Sequence, residues 1–149
     1  MIDIFSDGAK SCDKFSNLKS ANFLIYSVAA LYAKEKKLND CLVLNTKGNI
    51  ADSTIANVFT IKDGVIITPG LDEGCINGVK RRHLLNQLRD GGEEVQEMAI
   101  TVADIEAADE LFLTNAINGI RWVRQFGNKN YANTKTAEIY NRFLATISP

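Results

Sequence analysis

From Cys41 to Thr68 the chain alternates apolar runs with two turn sequences, and no other stretch limits the fold so tightly. Cys41-Leu42-Val43-Leu44-Asn45 reads as a strand with too little polar alternation to leave one face in water. Thr46-Lys47-Gly48-Asn49 reads as a tight hairpin turn in which Gly48 can take a positive φ. The next strand carries Ile50, the polar patch Ala51-Asp52-Ser53-Thr54, and then Val58-Phe59-Thr60-Ile61. Lys62-Asp63-Gly64 turns it into Val65-Ile66-Ile67-Thr68, which Pro69 and Gly70 stop. Three strands in hairpin succession predict an antiparallel sheet. Asp52 lies in the middle strand, and an ionised carboxylate there needs a positive partner if it points inward.

Upstream, Phe15-Ser16-Asn17-Leu18-Lys19-Ser20-Ala21-Asn22 is a polar loop that runs into a helix. Ser20 or Asn22 can cap its first turn, and Phe23, Leu24, Val28, Leu31 and Tyr32 recur at helical spacing, which predicts a mostly buried helix. Lys34 to Lys37 suit the negative end of its dipole. Lys19 then sits at the positive end, where the dipole and partial desolvation favour a neutral, nucleophilic amine. Residues 2 to 5 are a short strand and Ser6 to Asn17 a polar connection. Downstream, Gly78-Val79-Lys80-Arg81 opens a helix that runs to Arg89 and ends at Gly91-Gly92. Glu94 to Ile100 is a strand, Thr101 caps a short helix through Ala108, and Leu111-Phe112-Leu113-Thr114 and Ile120-Arg121-Trp122-Val123 are strands. A last amphipathic helix covers about Thr134 to Ile147.

A length of 149 residues with 46% apolar content suits one domain with a real core. The net charge of −1 supplies no basic field for nucleic acid or a membrane surface. No apolar run reaches membrane-spanning length, and the first residues lack the pattern of a signal peptide, so a cytoplasmic protein is expected. Cys12, Cys41 and Cys75 form neither a disulfide framework nor a metal-binding pattern, and His83 is the lone histidine.

Four features can converge on one chemistry. Lys19 offers an amine. Gly78 at a helix start leaves the Val79 and Lys80 N–H groups free for a phosphate. Thr114-Asn115-Ala116 follows an apolar strand and presents donors at a sheet end. Asp52 is a carboxylate in an apolar sheet. Pyridoxal phosphate (PLP) needs this set: an amine for a Schiff base, donors for its phosphate, and an acid that keeps its ring nitrogen protonated.

From Phe15 to Val123, in unbroken order, the sequence also resembles the class IV aminotransferases of fold type IV, which include branched-chain aminotransferases, D-amino-acid aminotransferases and 4-amino-4-deoxychorismate lyases. Lys19-Ser20-Ala21-Asn22 resembles the Schiff-base lysine segment. Gly48 to Phe59 is similar to the family signature, with Asn57 and Phe59 in place. Thr68-Pro69 matches the usual strand end, and Gly74 to Arg81 resembles the phosphate loop. Leu113-Thr114-Asn115-Ala116, followed by Gly119-Ile120, resembles the lyase branch more than the transaminases.

The resemblance implies an α+β fold, a mostly antiparallel or mixed sheet or distorted barrel packed with helices. It implies Lys19 as the catalytic lysine, and Asp52, Asn57, Gly78, Val79, Lys80, Asn115 and Ala116 as cofactor contacts. It also implies a lyase that releases pyruvate and 4-aminobenzoate from an amino substrate, with a branched-chain or D-amino-acid aminotransferase and a non-catalytic remnant as alternatives. Two departures stand out. Asp52 occupies a position where the family has glutamate, one methylene longer. The chain also begins just short of the lysine, so residues 1–149 are expected to be a single PLP-binding C-terminal domain without the family's N-terminal domain. Such a domain should expose apolar surface and pair with a second copy or with an N-terminal domain.

Overall fold

Strands form along the whole stretch from Cys41 to Thr68, but the chain divides them between two sheets. The structure, a computed structural model, describes residues 1–21 and 23–143. In the first sheet, β1 (Ile2–Lys10), β2 (Asp40–Asn45) and β3 (Ile50–Ser53) join β9 (Gln125–Phe126) and β10 (Lys129–Asn130), in the order β10-β9-β1-β2-β3. In the second, β4 (Asn57–Lys62) and β5 (Val65–Thr68) join β6 (Val95–Glu97), β7 (Glu110–Asn115) and β8 (Gly119–Trp122), in the order β6-β5-β4-β7-β8. Both sheets mix parallel and antiparallel pairs.

The predicted single strand from Ile50 to Ile61 is therefore broken, and the break has a local cause. The Ala56 N–H donates to Ser53 Oγ at 3.1 Å and the Ser53 N–H to the Ala56 carbonyl at 2.8 Å. Thr54 donates through both its N–H and its hydroxyl to Asp40 Oδ1. Side-chain oxygens thus compete with the ladder, and the polar patch becomes the crossing between sheets. The two turns behave as expected: Gly48 has φ 83°, and Asp63 and Gly64 have φ 49° and 82°. The first strand is longer than its apolar start suggests. It runs on through exposed Ser6 to Ala9 to Lys10, pairs in parallel with β2, and shifts register between Phe5 and Lys10.

Alternation along these strands feeds three cores. Leu42, Val58, Leu111 and Leu113 point between the sheets with Ile50, Ile100 and Ile105, the last from α3 (Val102–Ala107). Phe59, Ile61 and Phe112 point the other way from the second sheet, under α2 (Val79–Asp90) and α4 (Thr134–Phe143). Cys41 and Val43 face α1 (Leu24–Glu35) on the far side of the first sheet. Every face of β2, β4 and β7 is covered, which is why their sequences lack polar alternation.

The helices depart from expectation at α1. Tyr26, Ala29 and Ala33 are buried against the sheet, while Leu24, Val28 and Leu31 are 72%, 42% and 61% exposed. Small alanines let the helix sit close, and the larger residues are left on the open face. Phe23 holds the N-cap position with no side-chain cap, and Asn22 lies outside the described residues. Thr101 caps α3 as predicted, in a capping box with Asp104. Ile139 and Phe143 of α4 are buried as its pattern requires, while Ile147 lies outside the described residues.

α4 is held by a cap delivered from another element. The buried Glu110 carboxylate accepts the Lys135 N–H at 2.8 Å, the Thr136 N–H at 2.8 Å and the Thr136 hydroxyl at 2.6 Å. Glu110→Leu strips these donors of their acceptor, at an expected cost of about 1–3 kcal/mol. A urea titration checks it, and an unchanged midpoint would show that the cap adds nothing.

Candidate active site

The crossing at Thr54–Ala56 brings the end of β3 and the start of β4 beside the first turns of α1 and α2 and the end of β7. Together they enclose a cavity of about 360 Å³. Lys19, Asp52, Asn57, Gly78, Val79, Lys80, Asn115 and Ala116 all line it.

One end of the cavity offers unpaired donors. α2 begins after Gly78 with no side-chain cap, so the Val79 and Lys80 N–H groups have no partner within the helix. A Cβ at Gly78 would collide with the Asn57 side-chain oxygen, so glycine is what lets this helix start beside β4. Thr114 is 1% exposed, and its hydroxyl is buried with no hydrogen-bond partner among the described residues. A buried hydroxyl usually finds a partner, so an orphan lining a cavity marks a place where something else binds. The Asn115 amide is already engaged: Oδ1 accepts from the Ile117 and Asn118 N–H groups, and Nδ2 donates to the Ile55 carbonyl at 3.3 Å. The Asn115 Nδ2 group carries two hydrogens, and that bond uses one of them. The side chain builds the β7–β8 turn, and Thr114 provides the free hydroxyl.

Lys19 is an exposed side chain at the cavity, in the loop before α1. The Asn17 side chain steadies that loop by donating to the Leu71 and Cys75 carbonyls at 2.7 Å each.

Asp52 is 2% exposed and is surrounded by donors. Lys10 Nζ lies 3.1 Å from Oδ2, and the Tyr26 hydroxyl donates to the same oxygen at 2.7 Å. The Ile76 N–H reaches Oδ2 at 3.0 Å and Oδ1 at 3.3 Å, and Asn57 Nδ2 donates to Oδ1 at 3.0 Å. Burial pushes the carboxyl up from its ordinary value, and Lys10 and the hydrogen bonds pull against that. The Tyr26 hydroxyl is pushed up by burial and by the charge on Asp52, so it remains a donor. Cys75 lies close behind, pushed up to about 12 by burial and then by Asp52.

The sequence gives little warning of Lys10, Tyr26 and Ile76 in this cluster. An inward carboxylate demands a cation, but Lys10 is 42 residues away at the end of a strand that reads as a loop. Tyr26 looks like one more apolar helix residue, and Ile76 contributes only its backbone.

Burial also sorts the thiols. Cys41 is likewise pushed up to about 12, by burial first, and both Cys41 and Cys75 are fully buried, whereas Cys12 is partly exposed. Iodoacetamide at pH 8 should therefore modify Cys12 alone in the folded protein and all three thiols in denaturant. Modification of Cys75 in the native state would mean that the floor of the site opens.

The family model for amino-transferase class IV matches residues 9–126. The chain belongs to that family. Among its relatives, the branched-chain-amino-acid aminotransferase of Pseudomonas aeruginosa is 32% identical over 108 residues, 72% of this chain and 35% of that protein. The aminodeoxychorismate lyase of Vibrio harveyi is 36% identical over 81 residues, 54% of this chain and 30% of that protein. An aminotransferase from Brucella abortus, solved bound to PLP, superposes with a TM-score of 0.82 at 22% identity, over 97% of this chain and 54% of that one. The two mixed sheets with their helices are thus the fold of a class IV domain. The class IV chain spans less than half the length of these two relatives and about half of the solved chain. Among the described residues, no helix is long and apolar enough to cross a membrane.

Proposed function

We propose that this chain is the PLP-binding domain of a class IV enzyme and that the enzyme is a 4-amino-4-deoxychorismate lyase. The observation that carries the cofactor reading is the convergence in one cavity of Lys19, an uncapped helix start, the orphan Thr114 hydroxyl and a buried carboxylate. These residues fit PLP. The Val79 and Lys80 N–H groups and the Thr114 hydroxyl would hold its phosphate at the positive end of α2, beside the backbone of Asn115 and Ala116. Lys19 would carry it and then move the substrate proton. Asp52 would face its ring nitrogen, aimed by Asn57. When bound, the cofactor supplies an electron sink for a carbanion next to the substrate nitrogen.

The chain's own part is to bind, to orient and to hold protons in place. Lys19 is exposed on a loop, and a lysine that must exchange a bond and then collect a proton needs such freedom. Asp52, by contrast, is fixed by four donor groups on four elements and segments. Mobile amine and immobile acid suit the two roles.

Asn115-Ala116 and the Vibrio harveyi relative favour the lyase, which would release pyruvate and leave 4-aminobenzoate. A second reading, a branched-chain aminotransferase, is favoured by the Pseudomonas aeruginosa relative. The substrate is then a small amino compound in either case. Exposed Phe15, Leu18, Leu24, Val28 and Leu31 support a partner that covers them, either a second copy or the remaining half of a class IV enzyme.

The deciding assay supplies aminodeoxychorismate, or a panel of amino donors and keto acids, to the PLP-treated chain alone and mixed with a class IV N-terminal domain. Formation of 4-aminobenzoate is expected. Transaminase turnover without it would overturn the lyase assignment.

A further inference from the structure

Asp52 is held by more than the cofactor contact that its position suggests, and the bonds fall unequally on its two oxygens. Oδ2 receives Lys10 at 3.1 Å, Tyr26 at 2.7 Å and the shorter arm of the Ile76 N–H at 3.0 Å. Oδ1 receives Asn57 at 3.0 Å and only the longer arm of Ile76 at 3.3 Å. An ionised carboxylate has about four acceptor sites, and three of the five contacts fall on Oδ2, so Oδ1 is the less engaged oxygen. Lys10 itself is 7% exposed, and its ammonium lies 5.3 Å from the centre of the Tyr26 ring. Among the described residues its ion pair is with Asp52. A buried cation without that carboxylate would be costly, so the two charges are mutually required.

We infer that Lys10 is a positioning residue of the active site: with Tyr26 it clamps Oδ2 and so turns Oδ1, the less engaged oxygen, to receive a proton donor on a bound ring. This rests on the PLP reading given above. Burial favours the neutral acid, and the opposing influences are Lys10, Tyr26 and the backbone of Ile76. The charged or titratable groups facing Asp52 are Lys10 from β1, Tyr26 from α1 and Cys75 from the loop before α2, with the Arg81–Glu97 pair beyond Cys75.

The test reads Asp52 directly, by following carboxyl ¹³C shifts of aspartate-labelled protein against pH without cofactor. Replacing Lys10 with glutamine should raise the Asp52 midpoint by about 1–3 pH units, and Lys10→Arg should keep it near wild type. If Lys10→Gln does not fold, Tyr26→Phe removes one donor to Oδ2 and should raise the midpoint by a smaller amount. An unmoved midpoint in Lys10→Gln, or in Tyr26→Phe where that variant stands in, overturns the inference. A second arm uses PLP labelled with ¹⁵N in the ring. Its signal should be that of a protonated ring in wild type and move toward the unprotonated position in Lys10→Gln; identical signals also overturn the inference. A wild-type protein that takes up no PLP would overturn the proposed cofactor, while the cofactor-free titration still decides whether Lys10 governs Asp52.

Discussion

Phe112→Ala is expected to destabilise the protein by about 3–5 kcal/mol, a large share of what a domain of this size usually has. Phe112 and Phe59 are both fully buried, and their rings stack at 4.9 Å with planes 7° apart. They come from the paired strands β4 and β7, in direct register, under α2 and α4. Truncation leaves a void between two rigid strands and two helices, where the structure can relax only in part. The effect should reach the site as well, because Thr114 lies two residues along β7. Chemical denaturation gives the stability change. A loss below about 1 kcal/mol would mean that these layers are packed differently.

The second large effect is expected at Asp52, and it concerns stability before chemistry. Asp52→Asn keeps the shape but leaves the Lys10 ammonium buried without its counter-charge, at an expected cost of about 3–5 kcal/mol. Replacing both partners by apolar residues of similar size, Lys10→Met with Asp52→Leu, should recover most of that loss, since neither charge is then buried. The comparison separates the worth of the pair from the penalty for breaking it. If Asp52→Asn melts with wild type, the ion pair is not formed in solution.

Much of this arrangement could be read along the chain. β2, β5, α2, α3 and the β7–β8 pair fall where apolar periodicity, glycine turns and the Thr101 cap put them. Lys19, the Gly78–Lys80 helix start and the Asn115 turn meet at one cavity, as their separate sequence features suggested they could. What could not be read rests on side-chain hydrogen bonds, on residue size and on strands too short or too exposed to carry a pattern. The division of Ile50 to Ile61 between two sheets depends on Asp40 and Ser53 taking backbone donors from Thr54 and Ala56. The buried face of α1 depends on which residues are small enough to approach the sheet, not on which are apolar. β9 and β10 are two residues each, too short for any periodic signal. Lys10 was hidden because its strand is exposed over the preceding four residues.

If Lys19 is the lysine that takes up PLP, chemical trapping will find the cofactor on it. The protein is incubated with PLP, reduced with borohydride so that any Schiff base becomes a stable amine, digested and mapped by mass spectrometry. The phosphopyridoxyl group is expected on the Lys19 peptide, with no comparable labelling elsewhere when Lys19 is alanine. A wild-type protein without the adduct, or equal labelling of Lys10 or Lys80 in Lys19→Ala, would contradict it.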